Sequence, residues 1–307
     1  MAEVENRLPT FLVIGAAKAG TTALYHLLDQ HPQVYMSPVK ETNFFCFEGE
    51  TLDYKGPGVT VNESITGFDD YRGLFSSAKH ETALGEVSPM YMVLPIAAER
   101  IHKRLPNVRL IAVLRHPVDR AYSSFLHLRR DGREPFADFE EALREEPQRI
   151  ADSWGFLWRY RELSRYADSL AAYYRVFSAK QILVLSYEDF RDSPQVVLQK
   201  IFEHVGVDSS YHLRMTKTFN VSGEPRSALL ARVLRTPGAI RSALGRLMPQ
   251  PLRTALGSTV RRLNLKRPHL DPELRRRLTI EFSDDIAEVE RLCNIDLSHW
   301  LYRRDSP

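Results

Sequence analysis

The chain has 307 residues, 43% of them hydrophobic and 26% charged, and a formal net charge of +3. That length suffices for one large α/β domain with a sizeable core, and the near-neutral balance gives no global argument for nucleic acid as a partner. The cysteines, Cys46 and Cys293, belong to no CxxC or Cys/His set, which points to a reducing compartment and to no structural metal.

The opening MAEVENRLPT has no apolar run behind basic residues, so no secretory signal is expected. No stretch approaches the ~18 uncharged apolar residues of a membrane span, and the expectation is a cytoplasmic, enzyme-sized domain. Strands are expected at 11–15 (FLVIG), 34–37 (VYMS), 83–87 (ALGEV), 109–115 (RLIAVLR) and 181–187 (QILVLSY). Helical periodicity fills the intervals at about 20–30, 92–104, 117–131, 137–146, 158–177 and 194–205. Strands apolar on both faces, alternating with helices, predict an α/β fold: a central parallel sheet flanked by helices on both faces. In such sheets ligands bind where the strands end. We read 1–307 as a single domain with no internal repeat.

Two segments follow these elements. Between 225 and 270 there is no acidic residue, while Arg226, Arg232, Arg235, Arg241, Arg246, Arg253, Arg261, Arg262, Lys266 and Arg267 are basic. This arginine-rich excursion is readable as a solvated surface, as a lid over an anionic acceptor, or as a peripheral membrane contact. A C-terminal helix is expected at 272–292, with Leu274, Leu278, Phe282, Ile286, Val289 and Leu292 as its core stripe.

The first strand runs into GAAKAGTT, residues 15–22. Gly15 and Gly20 have the spacing of a nucleotide-binding P-loop and Thr22 is in place, but Thr21 stands where the lysine belongs. The lysine is displaced into the loop, as Lys18. A strand-to-helix turn of this kind aims backbone N–H groups at an anion, so Ala19, Gly20, Thr21 and Thr22 read as a phosphate cradle. In NTPases a metal is held by the Ser/Thr and by a strand-end carboxylate; here the strand RLIAVLR ends in Arg115. Those departures disfavour transfer of a γ-phosphoryl group. They suit a sulfuryl group, which carries a single negative charge and needs one lysine on the bridging oxygen and no metal.

AAKAGTTALYHLLDQHP followed by SPVKETNFF resembles the 5′-phosphosulfate loop of sulfotransferases that use 3′-phosphoadenosine 5′-phosphosulfate. VLRHPVDRAYSSF (113–125) resembles their 3′-phosphate-binding strand-loop-helix, and NVSGEPRS (220–227) their late loop over the nucleotide. GEVSPMY (85–91) and DLSHW (296–300) extend the likeness along most of the chain. The resemblance is strongest to the branch of bacterial sulfotransferases and heparan sulfate N- and 3-O-sulfotransferase domains, and it implies a P-loop NTPase-like three-layer fold.

It also implies roles. Lys18 falls on the bridging oxygen, Arg115 and Ser123 on the 3′-phosphate, and Ser222, Gly223 and Arg226 on the phosphates through the late loop. Glu41 matches the catalytic base of the 3-O branch, and the nearby apolar Phe44 and Phe45 are expected to raise its pKa enough to take a hydroxyl proton; His127 matches a functional histidine of N-sulfotransferase domains. The base is therefore Glu41 or His127. Val87 stands where 3-O-sulfotransferases place a second lysine, and no lysine precedes Gly223; both departures favour the bacterial branch. Tyr166, Trp154 and Trp158 are readable as adenine or acceptor contacts or as core.

The reading is transfer of a sulfuryl group to the hydroxyl, less readily the amine, of a small-molecule, lipid or glycan acceptor. The alternatives are a P-loop nucleotide kinase or NTPase, and a non-catalytic module binding anions or membrane surfaces through 225–270.

Overall fold

The structure is a computed structural model that describes residues 7–213 and 269–301, together with the backbone of 224–225 and 265–266. Its centre is a five-stranded sheet with every neighbouring pair parallel: β1 (Phe11–Gly15), β2 (Val34–Met36), β3 (Ala83–Val87), β4 (Arg109–Leu114) and β5 (Ile182–Ser186), in the order β2-β3-β1-β4-β5. The most apolar strands occupy the middle. All of β1 and β3 is buried, and β4 exposes only Arg109 at its start. Val13 pairs with Val87 on one side and Ile111 on the other. The turns that leave β1, β3 and β4 therefore open side by side at the carboxyl edge.

The helices are α1 (Thr21–Leu28), α2 (Phe44–Phe47), α3 (Phe68–Gly73), α4 (Ile96–Arg104), α5 (Pro117–Arg130), α6 (Phe139–Arg144), α7 (Glu146–Ala151), α8 (Ala167–Val176), α9 (Tyr187–Asp192), α10 (Pro194–Val205), α11 (Pro272–Glu281) and α12 (Ser283–Cys293). Helix α1 buries Leu24, Leu27 and Leu28, the side spaced to face the sheet. Beyond its end His31 packs on Phe202 of α10 with ring centroids 4.7 Å apart. On the other side α4, α8 and α12 pack in series. Helix α5 starts at Pro117, which suits the first helical position, and His116 Nδ1 caps it by accepting from Val118 N at 3.2 Å. Among the described residues no helix is long and apolar enough to cross a membrane.

The expected strands and most helices stand within a few residues of their places, and the three-layer arrangement is as expected. Two helices need correction. The segment expected as helix from 158 is helical only from Ala167; before it lie 3-10 turns at Phe156–Trp158 and Glu162–Ser164. Its backbone is claimed from outside. Buried Arg120 donates to the Tyr160 carbonyl and to Ser164 Oγ, both at 2.7 Å, and the Glu146 carboxylate accepts from Arg161 N and Glu162 N.

The helix expected at 272–292 is two helices joined at buried Phe282. The second turns so that Asp285 caps α8, accepting from Tyr166 N at 2.9 Å and Ala167 N at 3.1 Å. The apolar stripe stays in period across the joint, which is why the sequence does not reveal it. Trp158 and Tyr166 are core residues, and Trp154 packs edge-on against Trp158 at 5.4 Å.

Candidate active site

The cradle after β1 has the geometry that its glycines demand. Gly20 lies at φ 84, and a Cβ there would come within 3.1 Å of the Tyr187 ring, so a side chain would strain the backbone and press on that ring. No side chain caps α1. The N–H groups of its first turn have no acceptor within the helix, and together with the helix dipole they form an anion-binding surface. This arrangement fits a 5′-phosphate group. Lys18, at φ 72, stands at the tip of the loop.

Arg115 follows β4 directly. Its Nη1 donates to the Lys18 carbonyl at 2.9 Å, and its guanidinium lies over the Tyr187 ring at 4.8 Å. One aromatic side chain thus supports both the glycine turn and the arginine fork. Ser123, two turns into α5, is buried. A planar fork at a strand end fits a terminal phosphate group.

Lys18 is also where the electrostatics converge. Burial, and then the Arg130 charge, bring its amine down to about 8, against the opposing pull of Glu41 and Asp131. His127 is held near 4, chiefly by burial and then by the charge of Lys18. The charges of Glu41, Arg115, Arg130 and Asp131 thus all act on Lys18, and that of Lys18 acts on His127. Ser222, Gly223 and Arg226 lie outside the described residues, as does nearly all of 225–270. The backbone pair of Glu224–Pro225 with Leu265–Lys266 is antiparallel, and the first of these segments lies against α5.

The two candidate bases differ in kind. His127 Nδ1 is 2.7 Å from Arg130 Nη2, and a guanidinium only donates, so Nδ1 accepts and the proton sits on Nε2, 3.6 Å from Asp131 Oδ2. No lone pair of the ring is left for a substrate proton. Glu41 sits in the turn between β2 and α2 at φ 63, its N–H donating to the Val87 carbonyl at 2.8 Å. Its side chain is 52% exposed and pairs with Lys40 Nζ. The apolar enclosure expected of Phe44 and Phe45 is absent: both rings are buried in the core, Phe44 stacked on Tyr71 at 4.4 Å.

Sequence reasoning missed Tyr187, Arg130 and Asp131. Tyr187 was findable, because SYED follows a strand and strand ends carry the site. Arg130 and Asp131 had no signal, since a charged pair ending an amphipathic helix is ordinary. Among the described residues no group of His, Cys, Asp and Glu is arranged to hold a metal ion.

A sequence model of the "Sulfotransferase family" matches residues 9–211, which hold the cradle, Glu41, Arg115, Ser123 and His127. The chain belongs to the sulfotransferase family. A solved sulfotransferase from Alicyclobacillus acidocaldarius superposes on this sulfotransferase with a TM-score of 0.75 and 30% identity, covering 96% of this chain and 99% of that one. Bifunctional heparan sulfate N-deacetylase/N-sulfotransferase 1 of Mus musculus is 28% identical over 304 residues, 97% of this chain and 30% of that protein. The human enzyme 3 of the same name is 28% identical over 220 residues, 70% of this chain and 24% of that protein. This sulfotransferase thus spans less than a third of those curated relatives.

Proposed function

We propose that the enzyme moves a sulfuryl group from 3′-phosphoadenosine 5′-phosphosulfate to an acceptor hydroxyl and releases adenosine 3′,5′-bisphosphate. The observation that carries this reading is the bond from Arg115 to the Lys18 carbonyl, which ties a phosphate-shaped fork to the loop that presents the lysine. When bound, the donor supplies the sulfuryl group on a nucleotide leaving group. The rest is done by the chain. The first turn of α1 and the loop N–H groups hold the 5′ end, and Arg115 with Ser123 holds the 3′ end. With its amine at about 8, Lys18 is mostly protonated near neutral pH and offers a positive charge where negative charge develops. Glu41 takes the proton of the acceptor hydroxyl. The engaged Nδ1 of His127 favours Glu41 for that task and leaves His127 to orient Arg130.

The N-sulfotransferase relatives by name favour a second reading, in which the acceptor is an amine. The same residues serve it, because an ammonium acceptor also surrenders a proton before attack. Acceptor identity, as small molecule, lipid or glycan, and any membrane contact through 225–270 belong to this proposal.

Calorimetric titration tests it. Adenosine 3′,5′-bisphosphate is expected to bind far more tightly than 5′-AMP or ATP, and Arg115→Ala to erase most of the preference over 5′-AMP. Lys18→Ala is expected to lower sulfuryl transfer ~10²–10³-fold. Equal affinity for the bisphosphate and 5′-AMP would end this reading.

A further inference from the structure

Below the mouth of the site lies a buried carboxyl that the chemistry just described does not use. Glu86, on β3, is completely buried. Hydroxyl groups surround its carboxylate: Thr42 Oγ1 at 2.5 Å, Tyr71 OH at 3.0 Å, Tyr91 OH at 2.9 Å, and Ser88 Oγ. No arginine, lysine or histidine is among these partners. Burial raises this carboxyl above the usual range, and the hydroxyl donors offset only part of that rise. An unpaired charge in a core is costly, and apolar side chains of equal volume pack there at no such cost.

Three attachments join the β3 end to the turn that carries Glu41. Glu41 N donates to the Val87 carbonyl, Thr42 Oγ1 donates to Glu86, and Asn43 N donates to Ser88 Oγ at 3.0 Å. The turn needs them, because Glu41 (φ 63) and Asn43 (φ 52) both occupy the left-handed region, which asparagine tolerates but glutamate avoids. Four hydroxyls converge on the Glu86 carboxyl, and Thr42 Oγ1 and Ser88 Oγ share its Oε1. Thr42 is held as a donor to Glu86, and the residue before it is held where its charge acts on the loop lysine.

We propose that Glu86, acting through Thr42, is a positioning residue that holds Glu41 in the left-handed turn and so keeps its carboxylate in the field of Lys18. The proposal rests on the assignment of Glu41 as base, and it adds the buried part of the machinery.

The test needs no acceptor. The pH midpoint at which the Lys18 amine becomes reactive is read by competitive labelling with acetic anhydride and peptide mass spectrometry. Glu41 raises this midpoint, so Glu41→Gln is expected to lower it by roughly 0.3–1 unit, the size of a nearby exposed charge. Thr42→Val alters no charge, yet is expected to lower the midpoint similarly by freeing the turn. Thr42→Ser is expected to restore it. In a Glu41→Gln background Thr42→Val is expected to add nothing, the non-additivity of residues acting through one group. A general loosening of the fold would add its effect in either background.

A wild-type midpoint in Thr42→Val, with Glu41→Gln shifted, overturns the positioning role and leaves the base assignment standing. A further shift from Thr42→Val in the Glu41→Gln background overturns it as well. The base assignment falls on a separate result, hydroxyl sulfation by Glu41→Gln at the wild-type rate. Glu86→Gln, which keeps the shape and removes the charge, is expected to follow Thr42→Val; if that variant does not fold, Thr42→Val carries the test.

Discussion

Lys18 is a cation that its surroundings make slightly reluctant to stay charged. Burial and the neighbouring Arg130 bring its amine to about 8, so its charge is present below that pH and lost above it. Affinity for adenosine 3′,5′-bisphosphate is therefore expected to weaken as pH rises through about 8, and Lys18→Ala to remove that alkaline limb. Titration calorimetry between pH 7 and 9 measures it, and an identical limb in Lys18→Ala would assign the effect to another group. Lys18 and Arg115 were singled out in the sequence because each follows an apolar strand, and strand ends converge in a parallel sheet, where Arg115 Nη1 meets the Lys18 carbonyl. Tyr187 follows a strand too, but nothing in its own identity told that its ring would support Gly20 and Arg115 together. The sequence left both Glu41 and His127 as candidate bases, with Glu41 ahead. The preference proposed for Glu41 rests on which ring nitrogen Arg130 occupies, a contact made by side-chain rotamers one helical turn apart.

Helix α5 and its surroundings show how a polar interior holds the site's walls. After α5 the chain passes Glu134, whose fully buried carboxylate takes a two-pronged bond from Arg149 of α7 (2.7 and 2.8 Å) and a third from Tyr160 OH (2.5 Å). Removing one partner strands the other charge without water. Glu134→Ala is expected to cost about 3–5 kcal/mol, read as a lower urea midpoint at an unchanged slope; a loss under 1 kcal/mol would show that Arg149 finds another partner. None of this appears in the periodicity of the sequence. Glu134, Arg149 and Tyr160 lie far enough apart that only folding makes them one cluster. For the same reason 158–166 reads as helix yet is not: Arg120 and Glu146 take backbone groups that a helix would have paired internally.

The C-terminal segment closes back over the start of α5. His116 caps that helix through Nδ1 and, in the neutral form this requires, donates from Nε2 to the Trp300 carbonyl at 3.0 Å. Arg275 of α11 adds a two-pronged pair to Asp119, at 2.6 and 3.0 Å. Burial holds His116 near 4, below the 6.5 of a free imidazole. Between those values the unfolded chain binds the extra proton, so this histidine's contribution is complete above about pH 6.5 and is lost as pH falls through 4. His116→Asn keeps a cap but does not titrate. Its stability deficit against the wild type is expected to narrow as pH falls from about 6.5 to about 4, followed by denaturant unfolding across that range. A constant deficit would mean that His116 takes no proton on unfolding.

The sequence by itself determined the class of fold, the order of most elements, the anion cradle with its displaced lysine, and Arg115 beside it. These are local properties: period, turn chemistry and strand-end position are written in short stretches of chain. Tertiary structure alone decided the sheet order, the joint at Phe282, the occupied nitrogen of His127, and the hydroxyl cage that binds Glu86 to the turn of Glu41. Each depends on groups distant in sequence meeting at hydrogen-bond range, and a buried polar atom accepts whichever partner the packing delivers.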